Sequence, residues 1–460
     1  MGRPLIDSSP RDRFEIGTRG PTEPLSSGYE AKTTDSRKMF GRARRIFAGG
    51  VNHNARLYEP YPLTINKARG SHIWDLDGNR YTDYWMGHMA LILGHSPPVV
   101  TGPLRRQVGR GTLYGMGSQE SVELGEEVQR IVPCSEMLRF CNTGAEATMY
   151  LVRLARGYTG KKIVIKMAGG WHGYNTELNK GVHSPFDKPE GAGILHYEQA
   201  YVRNVRFNDF EAARKAVNAS KGDVALIFLE PVLGAGGCIP AEREYLRGLR
   251  ELADESDALL AFDEIITGFR VALGGAQVYY GVIPDLAAFG KVVGGGLPIG
   301  MICGRKEIIS LADPSCKQGF VSIGGGTFSE NPLTVTAGLA TLRHLRLNAS
   351  TIYPRLEGLG AKLRAGVDSA LAEGGVEAHT TGIGSLFFTH FGVNPRSAEE
   401  ALRGEGELVR RYALFLMSRG IFLLPSHAGG ISTCHTERDI ESLVQKSREF
   451  GSLDGLEKAK

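Results

Sequence analysis

Five short apolar runs recur through the middle of this chain: Met137–Cys141, Lys162–Lys166, Val224–Leu229, Ala258–Phe262 and Leu286–Phe289. Each is four to six residues long, and helical spacings of apolar residues fill the intervals between them. Strands that alternate with helices and are apolar on both faces predict a parallel or mixed sheet buried between helical layers. An α/β fold is therefore expected over residues 96–342. At 460 residues the chain also exceeds the size at which a single core keeps growing, so further lobes should flank this one.

The flanks read differently. Residues 1–35 mix Pro, Gly, Ser and charged groups with few large apolar side chains, a composition that predicts a mobile tail. Residues 36–95 begin with a helical pattern (Met39, Phe40, Ala43, Ile46, Phe47) stopped by Gly49-Gly50. Strands Tyr61–Ile65, Ser71–Asp75 and Tyr81–Tyr84 follow, the last two joined by the hairpin signal Asp77-Gly78-Asn79. Residues 343–460 read as a small α+β lobe, with helices over Leu356–Leu371, Leu408–Arg419 and from Glu437, and strands over Ser385–Phe391 and Ile421–Leu424.

Charge and motif content narrow the function. A formal net charge of +4 with no long block of one sign points away from nucleic acid and anionic membranes, and the run Arg37, Lys38, Arg42, Arg44, Arg45 reads as a solvated helix face. Small molecules are the expected partners. Six cysteines without a C-x-x-C pair predict reduced thiols and a cytoplasmic setting, and no signal peptide or spanning segment is predicted. The twelve histidines include no H-E-x-x-H, so no metal site is expected. Neither a Walker-type phosphate loop nor a G-x-G-x-x-G opening a helix is present.

Lys291 is the residue that demands a chemical explanation. It ends an apolar run and precedes Val292-Val293-Gly294-Gly295-Gly296, so its amine faces burial and a search for a partner. Asp263 ends the preceding run, at the sheet edge where ligands of open α/β sheets collect. Taken alone it is equally a helix-capping or surface acid. Asn142-Thr143-Gly144-Ala145-Glu146, between a strand and a helix, is either an ordinary capped helix start or an anion cradle. Trp171 and His172, among glycines after another run, either cover the core or offer flat faces to a flat ligand. Together these features fit pyridoxal 5′-phosphate, whose aldehyde takes a lysine, whose ring nitrogen takes a carboxylate and whose phosphate takes a helix N-terminus.

Phe262–Arg270, Pro284-Asp285, Gly290–Pro298 and Gly326–Pro332, in that order, resemble the signature of the class III pyridoxal-phosphate aminotransferases. The likeness runs from about Phe40 to Leu443 and is similar in detail to the branch containing glutamate-1-semialdehyde aminomutases, through Gly50-Val51-Asn52, Arg56, Asp75–Asn79 and Leu154–Gly160. It implies fold type I, a large domain with a mixed, mostly parallel sheet plus a small α+β domain built from N- and C-terminal segments. It also implies a homodimer working by ping-pong Schiff-base chemistry.

By the same resemblance Lys291 would hold the cofactor and Asp263 its ring nitrogen. Ile265 and Trp171 would flank the ring, with His172 and Glu230 close by. Thr143, Gly144 and Ala145 would bind the phosphate, joined by Thr327 from the neighbouring subunit. Arg56 would take a substrate carboxylate, with His53 and His88 beside it. The aminomutases' C-terminal glutamate is missing from Leu424–His435, Ala235 replaces their asparagine after Glu230-Pro-Val-Leu-Gly, and His88 replaces a tryptophan. Tyr58–Ile65, Gly236–Pro240 and Thr381–Leu386 are similar to β-phenylalanine aminotransferases, and Gly87-His88 to D-phenylglycine aminotransferase. The expectation is an aminotransferase for a β-, aromatic or D-type amino acid. The alternatives are an aminomutase and a non-catalytic binding protein of the same fold.

Overall fold

The computed structural model describes residues 23–453 of the chain. Its centre is a seven-stranded sheet whose strands, numbered in chain order, are β1 (Met137–Cys141), β2 (Ile163–Met167), β3 (Val202–Val205), β4 (Val224–Leu229), β5 (Leu259–Asp263), β6 (Leu286–Gly290) and β7 (Gly300–Gly304). They lie in the order β1-β7-β6-β5-β4-β2-β3. Only β7 runs antiparallel to its neighbours, so the other six present their carboxyl ends at one edge. Strands β2 and β4 to β7 are buried along their whole length, as their apolar runs required.

Strand β7 ties two distant parts of that edge together. Gly300 pairs with Cys141 on one side and Gly290 on the other, so the turn after β1 and Lys291 after β6 emerge next to one another. Only glycine fits there: a Cβ on Gly300 would lie 2.0 Å from the Thr143 carbonyl oxygen.

Beside this layer, Ile65–Arg69, His72–Asp75 and Arg80–Asp83 form an antiparallel sheet that Ile421–Phe422 extends in parallel, so N- and C-terminal segments share one lobe. The strand expected at Tyr61–Ile65 begins only at Ile65, because Pro60 and Pro62 cannot donate to a ladder. Ala378–Thr381, Leu386–Phe391 and Gly429–Gly430 make a further sheet. The boundary expected at 342/343 falls inside helix Pro332–Leu347, whose chain turns at Asn348.

The mobile tail expected over residues 1–35 is corrected in part. Residues 1–22 lie outside the described residues, but Glu23–Lys32 is helical and is followed at once by helix Thr34–Ala43. Tyr29 is buried, and its hydroxyl donates to the Tyr61 carbonyl at 2.7 Å; Thr33 and Ser36 are buried beside it. One aromatic anchor with satisfied hydroxyls offsets an ordering cost that average composition overstates. Ile46 and Phe47 lie past the second helix and are exposed. No described helix is long and apolar enough to cross a membrane.

Candidate active site

The carboxyl edge of the sheet gathers most of the residues singled out in the sequence. Asp263 ends β5 and Lys291 follows β6, the parallel strand beside it. Lys291 has φ 49°, a left-handed conformation that is costly for a side chain larger than glycine, and it opens a short 3-10 turn, Lys291–Gly294. Burial pulls its amine down to about 8, against the opposing pull of the Asp263 and Glu230 carboxyls. At neutral pH a useful fraction is therefore the free, nucleophilic amine.

Asp263 is buried and held at both oxygens, each with acceptor capacity to spare: Oδ1 accepts from the Ile265 amide at 3.0 Å, and Oδ2 lies 2.8 Å from His172 Nδ1. Burial lowers the His172 pKa, so the imidazole is neutral and Nδ1–H is the donor.

The turn after β1 is a helix start of high quality. Thr143 caps helix Gly144–Thr159: its Oγ1 accepts from the Glu146 amide at 3.1 Å, while the Glu146 carboxylate accepts from the Asn142 and Thr143 amides at 2.7 and 3.3 Å. This reciprocal box leaves the first-turn amides of Gly144 and Ala145 without intrahelical partners and pointed along the positive end of a 16-residue helix.

Packing brings this cradle against the rest of the site. A Cβ on Gly144 would meet Ile265 Cδ1 at 2.9 Å, and a Cβ on Gly290 would meet the same atom at 3.1 Å, so Ile265 wedges between the phosphate turn and the lysine strand. A Cβ on Gly173 would lie 2.5 Å from that of Ala145, so the loop carrying Trp171 and His172 closes on the helix start only because residue 173 is glycine. Trp171 is half-buried and meets Tyr174 edge-on, its ring centroid 4.6 Å away. Glu230, at the end of β4, accepts from the Trp171 amide at 2.8 Å and the Gly234 amide at 3.1 Å. A lysine amine, a buried carboxyl, a helix-start cradle and the Ile265 side chain meet within a space shaped by glycines, which fits pyridoxal 5′-phosphate.

On the other side of Lys291 stands a cluster of imidazoles. His88 lies in a left-handed turn in which Met86, Gly87, His88 and Met89 all have φ between 46° and 62°. Its ring lies 4.2 Å from Trp85 and 4.8 Å from His53, and its buried Nε2 has no hydrogen-bond partner. Burial, helped by nearby His53 and Lys291, pushes its pKa down to about 3. His53 is also lowered by burial, and its Nδ1 accepts from the Ala55 amide at 3.2 Å. Arg56 closes the same 3-10 turn and is exposed.

Two members of the cluster went unread in the sequence. Trp85 and His427 meet edge-on, 5.5 Å apart, only because the C-terminal loop folds over the left-handed turn, and no local pattern announces that contact. Thr327 is exposed, on a loop whose Gly325 carbonyl accepts from Asn142 Nδ2 at 3.0 Å, next to the Thr143 turn.

The family model for class-III aminotransferases matches residues 53–428. Among curated proteins, the glutamate-1-semialdehyde 2,1-aminomutase of Archaeoglobus fulgidus is 40% identical over 426 residues, covering 91% of this chain and 99% of that protein. Among solved structures, an omega-transaminase from Sphaerobacter thermophilus superposes with a TM-score of 0.84 at 32% identity, over 91% of this chain and 97% of that one. A glutamate-1-semialdehyde aminomutase from Pseudomonas aeruginosa PAO1, in complex with PMP, superposes with a TM-score of 0.85 at 25% identity, over 94% and 97%. The cofactor is pyridoxal 5′-phosphate, and the fold is the α/β fold of this enzyme class. With its signature residues at one sheet edge and a match spanning residues 53–428, this chain belongs to the class-III aminotransferase family.

Proposed function

We propose that this enzyme transfers an amino group with Lys291 as the proton-moving amine, and that the group returns to the same substrate skeleton, as in glutamate-1-semialdehyde 2,1-aminomutase. The observation that carries amino transfer is the placement of Lys291 and Asp263 at the ends of adjacent parallel strands, with the amine drawn down to about 8. Bound pyridoxal phosphate supplies an electron sink and a carrier for the amino group. Lys291 would take a proton from the substrate carbon and return it elsewhere. Asp263, oriented by His172, holds the proton on the ring nitrogen. Thr143, Gly144 and Ala145 hold the phosphate, Ile265 and Trp171 the two ring faces, and Glu230 anchors the Trp171 loop.

Arg56 supplies a cation for a substrate carboxylate, and bidentate geometry suits it to that task. His53 and His88, kept neutral by burial, offer hydrogen bonds without added charge. A second copy of the chain brings Thr327 to the phosphate, so the working unit is a homodimer.

The A. fulgidus relative supports the aminomutase reading over the transaminase one to which the sequence departures pointed. The second reading, transfer between separate amino and keto acids, keeps a specific support: the omega-transaminase matches at higher identity than the solved aminomutase, with nearly the same TM-score. One experiment separates them. The cofactor-loaded protein is incubated with glutamate 1-semialdehyde and no other acceptor, and 5-aminolevulinate is measured. Its formation supports the aminomutase. No isomerisation, with turnover of a donor and acceptor panel, supports the transaminase. Loss of neither activity in Lys291→Ala would overturn both.

A further inference from the structure

Lys166 is fully buried in β2, yet it forms no salt bridge among the described residues. Its amine donates to two backbone carbonyls, Gly170 at 3.0 Å and Lys180 at 2.7 Å. The first of these belongs to the peptide unit whose N–H is that of Trp171, and this N–H donates to Glu230 Oε1 at 2.8 Å. One peptide group, the one preceding Trp171, is therefore gripped at its oxygen by a lysine and at its nitrogen by a glutamate. Lys166 and Glu230 come from β2 and β4, which are neighbours in the sheet.

We infer that Lys166 is a positioning residue that, with Glu230, fixes the rotation of the Gly170–Trp171 peptide and so the plane of the Trp171 ring over the cofactor. The inference rests on the reading of Trp171 as a ring-stacking residue. A peptide can spin about its flanking bonds with little cost, and glycines at 169 and 170 remove the side chains that would restrain it. Hydrogen bonds at both ends of the peptide dipole replace that restraint. The second donation, to Lys180, ties the same loop to the segment that follows it. Burial draws the lysine down to about 7 and pushes Glu230 up to about 8, so the clamp can hold with little net charge beneath the cofactor. A buried methionine in place of Lys166 would fill similar volume more cheaply, which leaves the stacking loop as the reason for an amine here.

The test is a double-mutant cycle on Lys166→Met and Trp171→Ala, read by titration of pyridoxal 5′-phosphate into the apo protein and by near-ultraviolet circular dichroism. Lys166→Met should weaken cofactor binding about tenfold and lose the part of the aromatic spectrum that Trp171→Ala removes, with a lowered melting temperature because two buried carbonyls lose their donor. The double variant should bind no more weakly than Trp171→Ala alone. Additive losses, or a Lys166→Met protein with the native spectrum, would overturn the clamp. Native cofactor affinity in Trp171→Ala would instead sink the stacking reading, and the spectrum of Lys166→Met would still decide whether the clamp orients the ring. Should Lys166→Met fail to fold, Lys166→Gln, which keeps an N–H donor, should retain the spectrum while Glu230→Met loses it; the reverse pattern rejects the inference.

Discussion

His172 Nδ1 lies 2.8 Å from Asp263 Oδ2 in a pocket where both side chains are buried. Because burial lowers the imidazole's pKa, His172 is a neutral donor to the Asp263 carboxyl. Asp263→Asn should keep its volume but slow single-turnover amino transfer by about 100-fold or more, since it cannot hold the ring nitrogen protonated. His172→Phe removes one hydrogen bond to a charged group, worth about 2 kcal/mol or ~30-fold, and its rate should fall between those of the Asp263→Asn variant and the native enzyme. Stopped-flow absorbance with an amino donor measures both. Equal rates in all three proteins would refute the role given to this pair.

Lys291 should reveal its lowered pKa directly. The neutral amine is the form that attacks the cofactor aldehyde, and its fraction grows as pH rises through the pKa. Capture of pyridoxal phosphate by the apo protein should therefore rise with pH and reach half its maximum near pH 8. Rates measured by absorbance between pH 6 and 10 give the midpoint, and Lys291→Ala should show no covalent capture at any pH. A midpoint near that of a solvent-exposed lysine would mean that the amine is not desolvated.

The sequence revealed these two residues because each ends an apolar run, and a parallel sheet puts the ends of such runs at one edge. The turn at Thr143 was legible as a helix start, though not its neighbourhood: it reaches Lys291 through Gly300, and the antiparallel insertion of β7 leaves no trace in local periodicity. The imidazole cluster was half legible. The resemblance picked out His88 and His53, which the fold brings within 4.8 Å of each other, whereas His427 joins them through a tertiary contact of the C-terminal loop. Lys166 closes one of the runs read as strands, and only the fold shows that both its acceptors are backbone oxygens. Tyr29 shows the opposite failure, where one buried hydroxyl outweighed a disorder-like composition.

Gly173 is a sharper steric constraint than its place in a loop suggests. It has φ 85°, and an added Cβ would lie 2.5 Å from the Ala145 Cβ. Gly173→Ala should lower stability by about 1–3 kcal/mol and weaken cofactor binding, because the Trp171 loop must back away from the phosphate cradle. Gly358→Ala is the control: it lies in helix Ala349–Glu373 with nothing within 4 Å of a new Cβ, and should raise stability by about 0.5–1 kcal/mol. Chemical denaturation and cofactor titration of the two variants give the comparison. A Gly173→Ala protein as stable as the control would show that the loop does not need this close approach.

With His88, two further histidines should contribute to the acid sensitivity of the fold. Burial pushes His390 and His435 down to about 4. The Ser432 amide donates to His435 Nδ1 at 3.0 Å, so the proton sits on the buried Nε2; a second proton would have to break the Ser432 bond. His390 Nε2 lies 2.9 Å from the Gly237 carbonyl. In the unfolded chain both rings take up a proton near their ordinary pKa of about 6.5, while the folded protein resists until about pH 4. Folding stability should accordingly fall as pH drops from about 6.5 toward 4, each histidine contributing up to about 1.4 kcal/mol per pH unit inside that window. Denaturation midpoints at pH 7.5, 6 and 5 test the slope. His435→Phe should lessen it, and an unchanged slope in that variant would show that the His435 ring is not held neutral by burial.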